Sequence, residues 1–415
     1  MPWMIIFHVM KALPRLAGAR LESALAAVPV VVVMGARQTG KSTLVQSHPA
    51  LEGHRYVSLD DVDLRDLAER APEELLARGE RLILDEVQRV PDLLLAVKRA
   101  VDRDRPRRRG RFVLTGSSNL LLMRRVSESL TGRAAYVHLW PFTRGERAGE
   151  ARAGCWSALL DTPFNRWEGA LRRGGRADWR EEARLGGYPT AALELAGADE
   201  RATWFGGYLQ TYLERDLRDH AAIDALADFR RLMRAASLRI GNLANQAELA
   251  RDAGVPPVTA HRWLNILEAS FQLRRLEPYS VNRTRRLVKT PKLYWTDTAL
   301  ALHIAGIEEP AGAHLENLIL ADLTAWRDGL ARATEVLWWR TAGGTEVDFV
   351  IEQGRKLVAV KVKATATPRS SDARQLAAFR DEYGSAVHGC LLLHTGDEVT
   401  PIGRGILAAP WWRVL

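Results

Sequence analysis

In the first third of the chain, apolar residues gather in short unbroken runs rather than alternating with polar ones. Pro29 to Met34, Arg81 to Leu84, Arg111 to Thr115 and Ala134 to Leu139 each have the length and composition of a buried strand. A shorter strand-like segment ends at Ser58-Leu59-Asp60. From Thr143 to about Asp224 the spacing turns helical, broken at Gly186-Gly187-Tyr188-Pro189 and ending in an amphipathic stretch from Tyr208 to Asp216. Ala247 to Val255 and Val258 to Leu267 predict two helices around a glycine-containing turn. Phe271 to Leu276 and Lys292 to Trp295 predict the two strands of a wing. The last quarter reads helix, strand, strand, helix, with a helix over Leu315 to Trp326 and strands through Glu346-Val347-Asp348-Phe349 and Leu357 to Lys363.

Length and composition narrow the class. A chain of 415 residues is long enough for roughly two to four domains at ~100–200 residues each. With 47% hydrophobic and 26% charged residues it reads as ordinary soluble protein, and no stretch approaches the ~18 apolar residues of a membrane span. The apolar start, Pro2 to Met10, lacks the basic lead and small-residue cleavage site of a signal peptide and is expected to pack as a strand or helix. Two cysteines, Cys155 and Cys390, exclude a disulfide framework or a cysteine-rich zinc site and fit a reducing cytoplasm. A formal charge of +9 favours a polyanionic partner, DNA or RNA.

The chemistry is most legible where the first apolar run ends. Gly35-Ala36-Arg37-Gln38-Thr39-Gly40-Lys41-Ser42, followed by Thr43, completes the pattern G-x-x-x-x-G-K-[ST] at a strand-to-helix junction. Its glycines let backbone N–H groups close around phosphate oxygens, and the next helix aims its positive end at them. Lys41 is expected to reach the β- and γ-phosphates of ATP, and Ser42 to place its hydroxyl on Mg²⁺. The strand from Arg81 finishes in Asp85-Glu86, a Walker B pattern in which Asp85 shares the Mg²⁺ with Ser42 and Glu86 polarises the attacking water. The strand from Arg111 breaks into Gly116-Ser117-Ser118-Asn119, where a small polar side chain lies beside the nucleotide. Ser117, Ser118 and Asn119 all stand as candidates for that sensor position. Leu130-Thr131-Gly132-Arg133 precedes the next strand.

This order and spacing resemble the AAA-type ATPases. In that family an arginine placed like Arg133 reaches the γ-phosphate of the neighbouring subunit, so the resemblance implies Arg133 as an arginine finger, with Arg124 and Arg125 behind it. A planar, permanently charged guanidinium suits that task. A finger acting in trans requires head-to-tail contacts, which close into rings, and the family expectation is a hexamer. The following helical segment would be the lid. The predicted helix-turn-helix and wing put Thr259, His261, Arg262 and Asn265 forward for DNA contact, with Arg283, Arg285 and Arg286 on phosphates. Such winged-helix domains also dock proteins, so a protein partner stays open.

The C-terminal pattern resembles the restriction-endonuclease-like fold, where a helix glutamate, a strand aspartate and an acid-x-lysine pair gather Mg²⁺. Glu316 and Asp348 match the first two, and Lys363 ends the third motif. Where the family has its second acid this chain has Lys361. A lysine cannot ligate a metal, and its charge opposes one, so the expectation is a degenerate nuclease site with activity lost. Glu346, on the same strand face as Asp348, is the surviving route to a ligand.

The whole layout resembles a family of bacterial and archaeal AAA-type ATPases. It implies an α/β protein with an AAA-type parallel-sheet core over residues 1–142, a helical lid over 143–225, a winged helix over 226–300 and a restriction-endonuclease-like domain over 301–415. The function expected is a ring-forming, DNA-binding ATPase acting on branched or unwound DNA in recombination, repair or defence. A regulatory switch that docks protein partners and an ATP-dependent nuclease are the rivals.

Overall fold

The computed structural model describes residues 12–104, 106, 108–117, 130–212, 225–282 and 290–415. Five strands build the first sheet: β1 (Val30–Gly35), β2 (Arg55–Ser58), β3 (Leu82–Asp85), β4 (Phe112–Ser117) and β5 (Ala134–His138). They are all parallel, in the order β2-β3-β4-β1-β5. Helices cover both faces of a sheet of this kind, and unbroken apolar runs are what two covered faces require. In β1 the alternation is hidden inside the run. Val30, Val32 and Met34 join one core with Leu84 and Leu114, while Val31 and Val33 join the other with Ile83 and Val113.

The sheet carries its loops at the carboxyl ends of its strands, and the phosphate loop leaves β1 directly into the helix Lys41–Ser47. Beyond β5 the chain runs through short helices, the first Arg144–Arg147, to the longer helix Ala198–Thr211. The two expected helices follow as Gln246–Ala253 and Pro257–Ala269, and a helix that the sequence reading did not place, Leu226–Ser237, precedes them to make a three-helix unit. Asn245 caps the second helix by accepting from the Glu248 amide, Gly254 ends it in the left-handed region, and Pro257 opens the third. The wing strands are β6 (Leu273–Leu276) and β7 (Lys292–Trp295), paired antiparallel. The first begins two residues later than its apolar run suggests, because Phe271 turns the chain at φ +57°.

The last segment starts with the helix Gly312–Gly329. It continues through an antiparallel meander of β8 (Glu335–Arg340), β9 (Glu346–Gln353) and β10 (Lys356–Val362). The helix Arg374–Tyr383 then crosses to β11 (Val387–His394), parallel to β10. Two more strands, β12 (Thr400–Gly403) and β13 (Ile406–Pro410), complete a six-stranded mixed sheet.

One large core joins described residues of the short helices, the three-helix unit and one face of the mixed sheet, and a second lies on that sheet's other face beneath the helix Arg374–Tyr383. Trp156 and Trp167 from the short helices, Trp263 from the helix-turn-helix and Trp411 from the C-terminus belong to the same buried cluster. The helix Gly312–Gly329 packs on β7 and β8 and also on β5 of the first sheet. At that junction Trp140 donates its indole N–H to Asp328 Oδ2 at 2.9 Å.

Candidate functional site

Gly35, the last residue of β1, has no room for a side chain: a Cβ there would lie 2.2 Å from the Leu139 carbonyl oxygen. Gly40 closes the loop at φ +90°, a conformation that L side chains rarely adopt. Between them Ala36 and Thr39 are buried, Arg37 is half-buried and Gln38 is exposed at φ +59°. Lys41 is buried, and its Nζ donates to the carbonyls of Gly35 at 3.1 Å and Ala36 at 2.8 Å. The lysine therefore already sits inside the loop whose phosphates it is expected to meet. Ser42 is half-buried and Thr43 exposed on the first helical turn.

Asp85 is buried at the end of β3 and gathers hydroxyls. Ser42 Oγ donates to its Oδ2 at 2.8 Å, the Tyr56 hydroxyl to the same oxygen at 2.5 Å, and Thr115 Oγ1 to Oδ1. A serine hydroxyl and a carboxylate side by side are the hard oxygen donors Mg²⁺ takes, so these residues fit that ion. Burial and the Asp85 carboxylate push the Tyr56 phenol up to about 12, which keeps it a donor. Glu86, next in the chain, holds a left-handed backbone at φ +59°, an outlier of the kind that concentrates at functional sites. Its amide donates to Thr115 Oγ1 at 3.3 Å, and Gln88 donates to its carboxylate. Burial raises the Glu86 carboxyl above its ordinary value, opposed by Lys41.

Arg133 lies at the other end of the sheet. Its carbonyl accepts from the Val30 amide at the start of β1, so six residues at about 3.3 Å each separate it from its own phosphate loop. Its guanidinium is held by Asp102, Nε to Oδ1 at 2.8 Å and Nη2 to Oδ2 at 2.9 Å. Ser118, Asn119, Arg124 and Arg125 lie outside the described residues, whereas Ser117 ends β4 opposite Gly35.

In the helix-turn-helix, His261 and Arg262 are exposed on the third helix, and Val258 beside them is 81% exposed. Thr259 and Asn265 are half-buried rather than exposed. Asn265 accepts from Arg275 at 2.7 Å and contacts His261 at 3.2 Å, so it serves the join between helix and wing. Arg283, Arg285 and Arg286 lie outside the described residues. A polar cleft of about 1050 Å³ opens between this unit and the C-terminal sheet, with Arg275, Lys292, Arg340 and Glu346 among its walls.

Behind the cleft lies the C-terminal charge cluster. Val360 pairs with Phe349 across β9 and β10, which makes Lys361 and Asp348 the next pair in register. Lys361 Nζ donates to Asp348 Oδ1 at 2.6 Å, and the Val362 amide to Oδ2 at 2.7 Å. Lys361 thus does more than oppose a cation: it occupies the carboxylate. Glu346, expected as the substitute ligand, is taken by Lys292 Nζ at 2.5 Å. The correction has a physical reason, since Lys292 on neighbouring β7 is buried and needs a counter-charge. Among the described residues no group of three or more His, Cys, Asp or Glu side chains can hold a metal ion. Lys363 is half-buried just past β10.

Glu316 faces this cluster from its helix and accepts from the Tyr294 hydroxyl at 3.2 Å. Burial, then the Asp348 charge, push its carboxyl up to about 8, with Lys292 and Lys361 opposing. Between 4.5 and about 8 the folded chain holds a proton that the unfolded chain releases, so this group lowers stability as pH rises through that window. Melting curves across it should therefore fall more steeply for the wild type than for Glu316→Gln, and parallel curves would place the proton elsewhere.

Sequence reasoning missed Arg15, Tyr56, Gln88 and Thr115. Thr115 had a signal, a polar residue inside the apolar run beside the Walker B strand. Arg15 had none, because its partners stand far along the chain.

Three family models match the chain: an AAA domain over residues 27–148, a domain of unknown function (DUF8612) over 176–311 and a domain of unknown function (DUF4143) over 311–414. An uncharacterized protein of Mycobacterium tuberculosis, Rv2008c, is 30% identical over 412 residues, covering 96% of this chain and 84% of its own. One of Haemophilus influenzae is 20% identical, covering 85% of this chain and 87% of its own. Among solved structures, a Walker-type ATPase of Pyrococcus abyssi is similar at 17% identity and a TM-score of 0.43, covering 69% of this chain and 94% of that one. A Thermotoga maritima RuvB variant is similar at 18% and 0.29, covering 62% and 88%.

Proposed function

Because the chain belongs to the AAA-type ATPases that carry a C-terminal DUF4143 domain, we propose that it is a Mg²⁺-dependent, ring-forming ATPase that works on DNA. The observation that carries the hydrolytic part is the meeting of Ser42 and Asp85 at the mouth of a phosphate loop that already encloses Lys41. In this reading ATP seats its phosphates against the amides of residues 35–42, and Ser42 and Asp85 hold the Mg²⁺. That ion supplies charge neutralisation between the phosphates when bound. Glu86, half-buried beside Lys41, orients the attacking water and takes its proton.

The ring supplies the missing cation. Arg133 is too far from its own loop to serve it, whereas a head-to-tail neighbour brings such an arginine to the γ-phosphate side. In that assembly Arg133 exchanges Asp102 for a phosphate. DNA is read by the exposed face of the third helix, with His261 and Arg262 foremost, and the cleft beside it adds Arg340.

The C-terminal sheet, a degenerate restriction-endonuclease-like domain in this reading, is a binding and packing element and not a nuclease, since Lys361 and Lys292 already satisfy Asp348 and Glu346. The ATPase rate measured against single-stranded, duplex and four-way-junction DNA, with particle mass recorded alongside, tests the proposal. Stimulation by one of these DNAs and the mass of a closed ring are expected. Hydrolysis indifferent to all three would remove DNA from the reading, and a monomeric mass during turnover would remove the ring.

A further inference from the structure

Arg15 precedes the helix Ala17–Ala27, and its guanidinium is buried although nothing in the nucleotide chemistry above uses it. Its nitrogens each have a different partner. Nη1 donates to the Thr39 carbonyl in the phosphate loop at 2.8 Å, and Nη2 to the Trp140 carbonyl just past β5 at 2.6 Å. Nε donates to Glu146 Oε1 at 3.1 Å on the first helix beyond the sheet, and the plane lies 4.1 Å from the centre of the Phe142 ring.

The Glu146 end is itself fixed. Its other oxygen accepts from the Thr143 amide at 2.8 Å, its own amide donates to Thr143 Oγ1 at 3.1 Å, and the Leu16 amide adds a bond at 2.7 Å. The guanidinium is therefore a rigid brace from the lid to the loop.

A phosphate loop works only if its N–H groups face the phosphates and its carbonyls face away. The carbonyls of Gly35 and Ala36 are held by Lys41, but that lysine must leave them to reach a phosphate. Arg15 holds a different carbonyl, that of Thr39, and is itself tied to Trp140 and Glu146. Its Nη1 also lies 3.5 Å from the Cβ position of Gly40, so it backs the turn before Lys41.

We propose that Arg15 is a positioning residue for the phosphate loop, bracing Thr39 against Glu146 so that nucleotide meets a loop already set for it. The inference rests on the ATP-site reading. Because Glu146 neutralises the guanidinium, the effect is geometric and not a contribution to the field at the phosphates.

The test is binding of a fluorescent ATP analogue with Mg²⁺, together with KM and kcat, for Arg15→Lys and Glu146→Gln. A lysine cannot span three acceptors at once, so Arg15→Lys should weaken binding and raise KM by about tenfold, with kcat at saturation within about twofold. The salt dependence of binding should stay as in the wild type. Glu146→Gln, which keeps an acceptor and loses the charge, should show a smaller loss of the same kind, and it decides the matter if Arg15→Lys does not fold. Affinity unchanged in both variants, or a loss confined to kcat, overturns the brace. If Lys41→Ala abolishes binding while the Arg15 and Glu146 variants bind normally, the brace fails and the ATP site stands. A wild type that binds no nucleotide overturns both.

Discussion

Lys41→Ala should abolish measurable nucleotide binding. The side chain is buried with its ammonium against two loop carbonyls, so its charge is already inside the loop and passes from those carbonyls to the phosphates when nucleotide binds. Two charge-assisted bonds to phosphate at about 1.5–3 kcal/mol each amount to a loss on the order of a hundredfold or more in affinity, enough to push a micromolar site beyond ordinary titration. Removal also leaves the Gly35 and Ala36 carbonyls without that donor. The fold should nevertheless hold, because Gly35 and Gly40 set the loop's path through their backbone and not through the lysine. Equilibrium binding of a fluorescent ATP analogue, checked against the unliganded melting curve, measures this. A variant that binds within about threefold of wild type would mean that nucleotide sits somewhere other than this loop.

The second large effect concerns stability. Asp348→Ala strips the counter-charge from Lys361, which is 8% exposed between two strands of the mixed sheet. An uncompensated buried charge of this kind costs about 3–5 kcal/mol, and the Val362 amide loses its acceptor as well. The cooperative unit that holds the C-terminal sheet should drop in Tm by about 6–20 °C, at about 2–4 °C per kcal/mol. Replacing both partners, Asp348→Leu with Lys361→Leu, should recover a large part of the loss, because it removes the stranded charge along with its partner. If the double variant is no more stable than Asp348→Ala, packing and not charge is what the pair provides. Divalent cations should not rescue Asp348→Ala, since the remaining Glu316 and Glu346 face Tyr294 and Lys292.

The first sheet was readable because a parallel strand buried on both faces writes itself as an unbroken apolar run, as Pro29 to Met34 does. The phosphate loop was readable because its chemistry is local: eight consecutive residues carry it. The C-terminal strands were harder. In Val387–His394 the run Cys390 to Leu393 is apolar without alternation, so its period does not separate a central strand from a buried helix. Lys361 was visible as a departure, but its contact with Asp348 depends on the register between β9 and β10, which no single strand contains. Arg133 was placed by its position before a strand, while its partner Asp102 sits on another helix, Leu93–Arg103. Arg15 was not legible, since its partner Glu146 is 131 positions away and a single arginine between Leu13-Pro14 and Leu16-Ala17 completes no motif.

The tryptophans that knit the lid, the helix-turn-helix and the final sheet into one interior bear on how such a chain can change. A gene fragment ending after the wing would expose half of that interior to water, and a fragment beginning at the mixed sheet would expose the other half. Grafting the three-helix unit of a related chain onto this one should then yield insoluble protein unless the indole-bearing neighbours travel with it. The segments that look separable along the sequence are inherited together, and change has to arise on their exposed surfaces and not by exchange of whole modules.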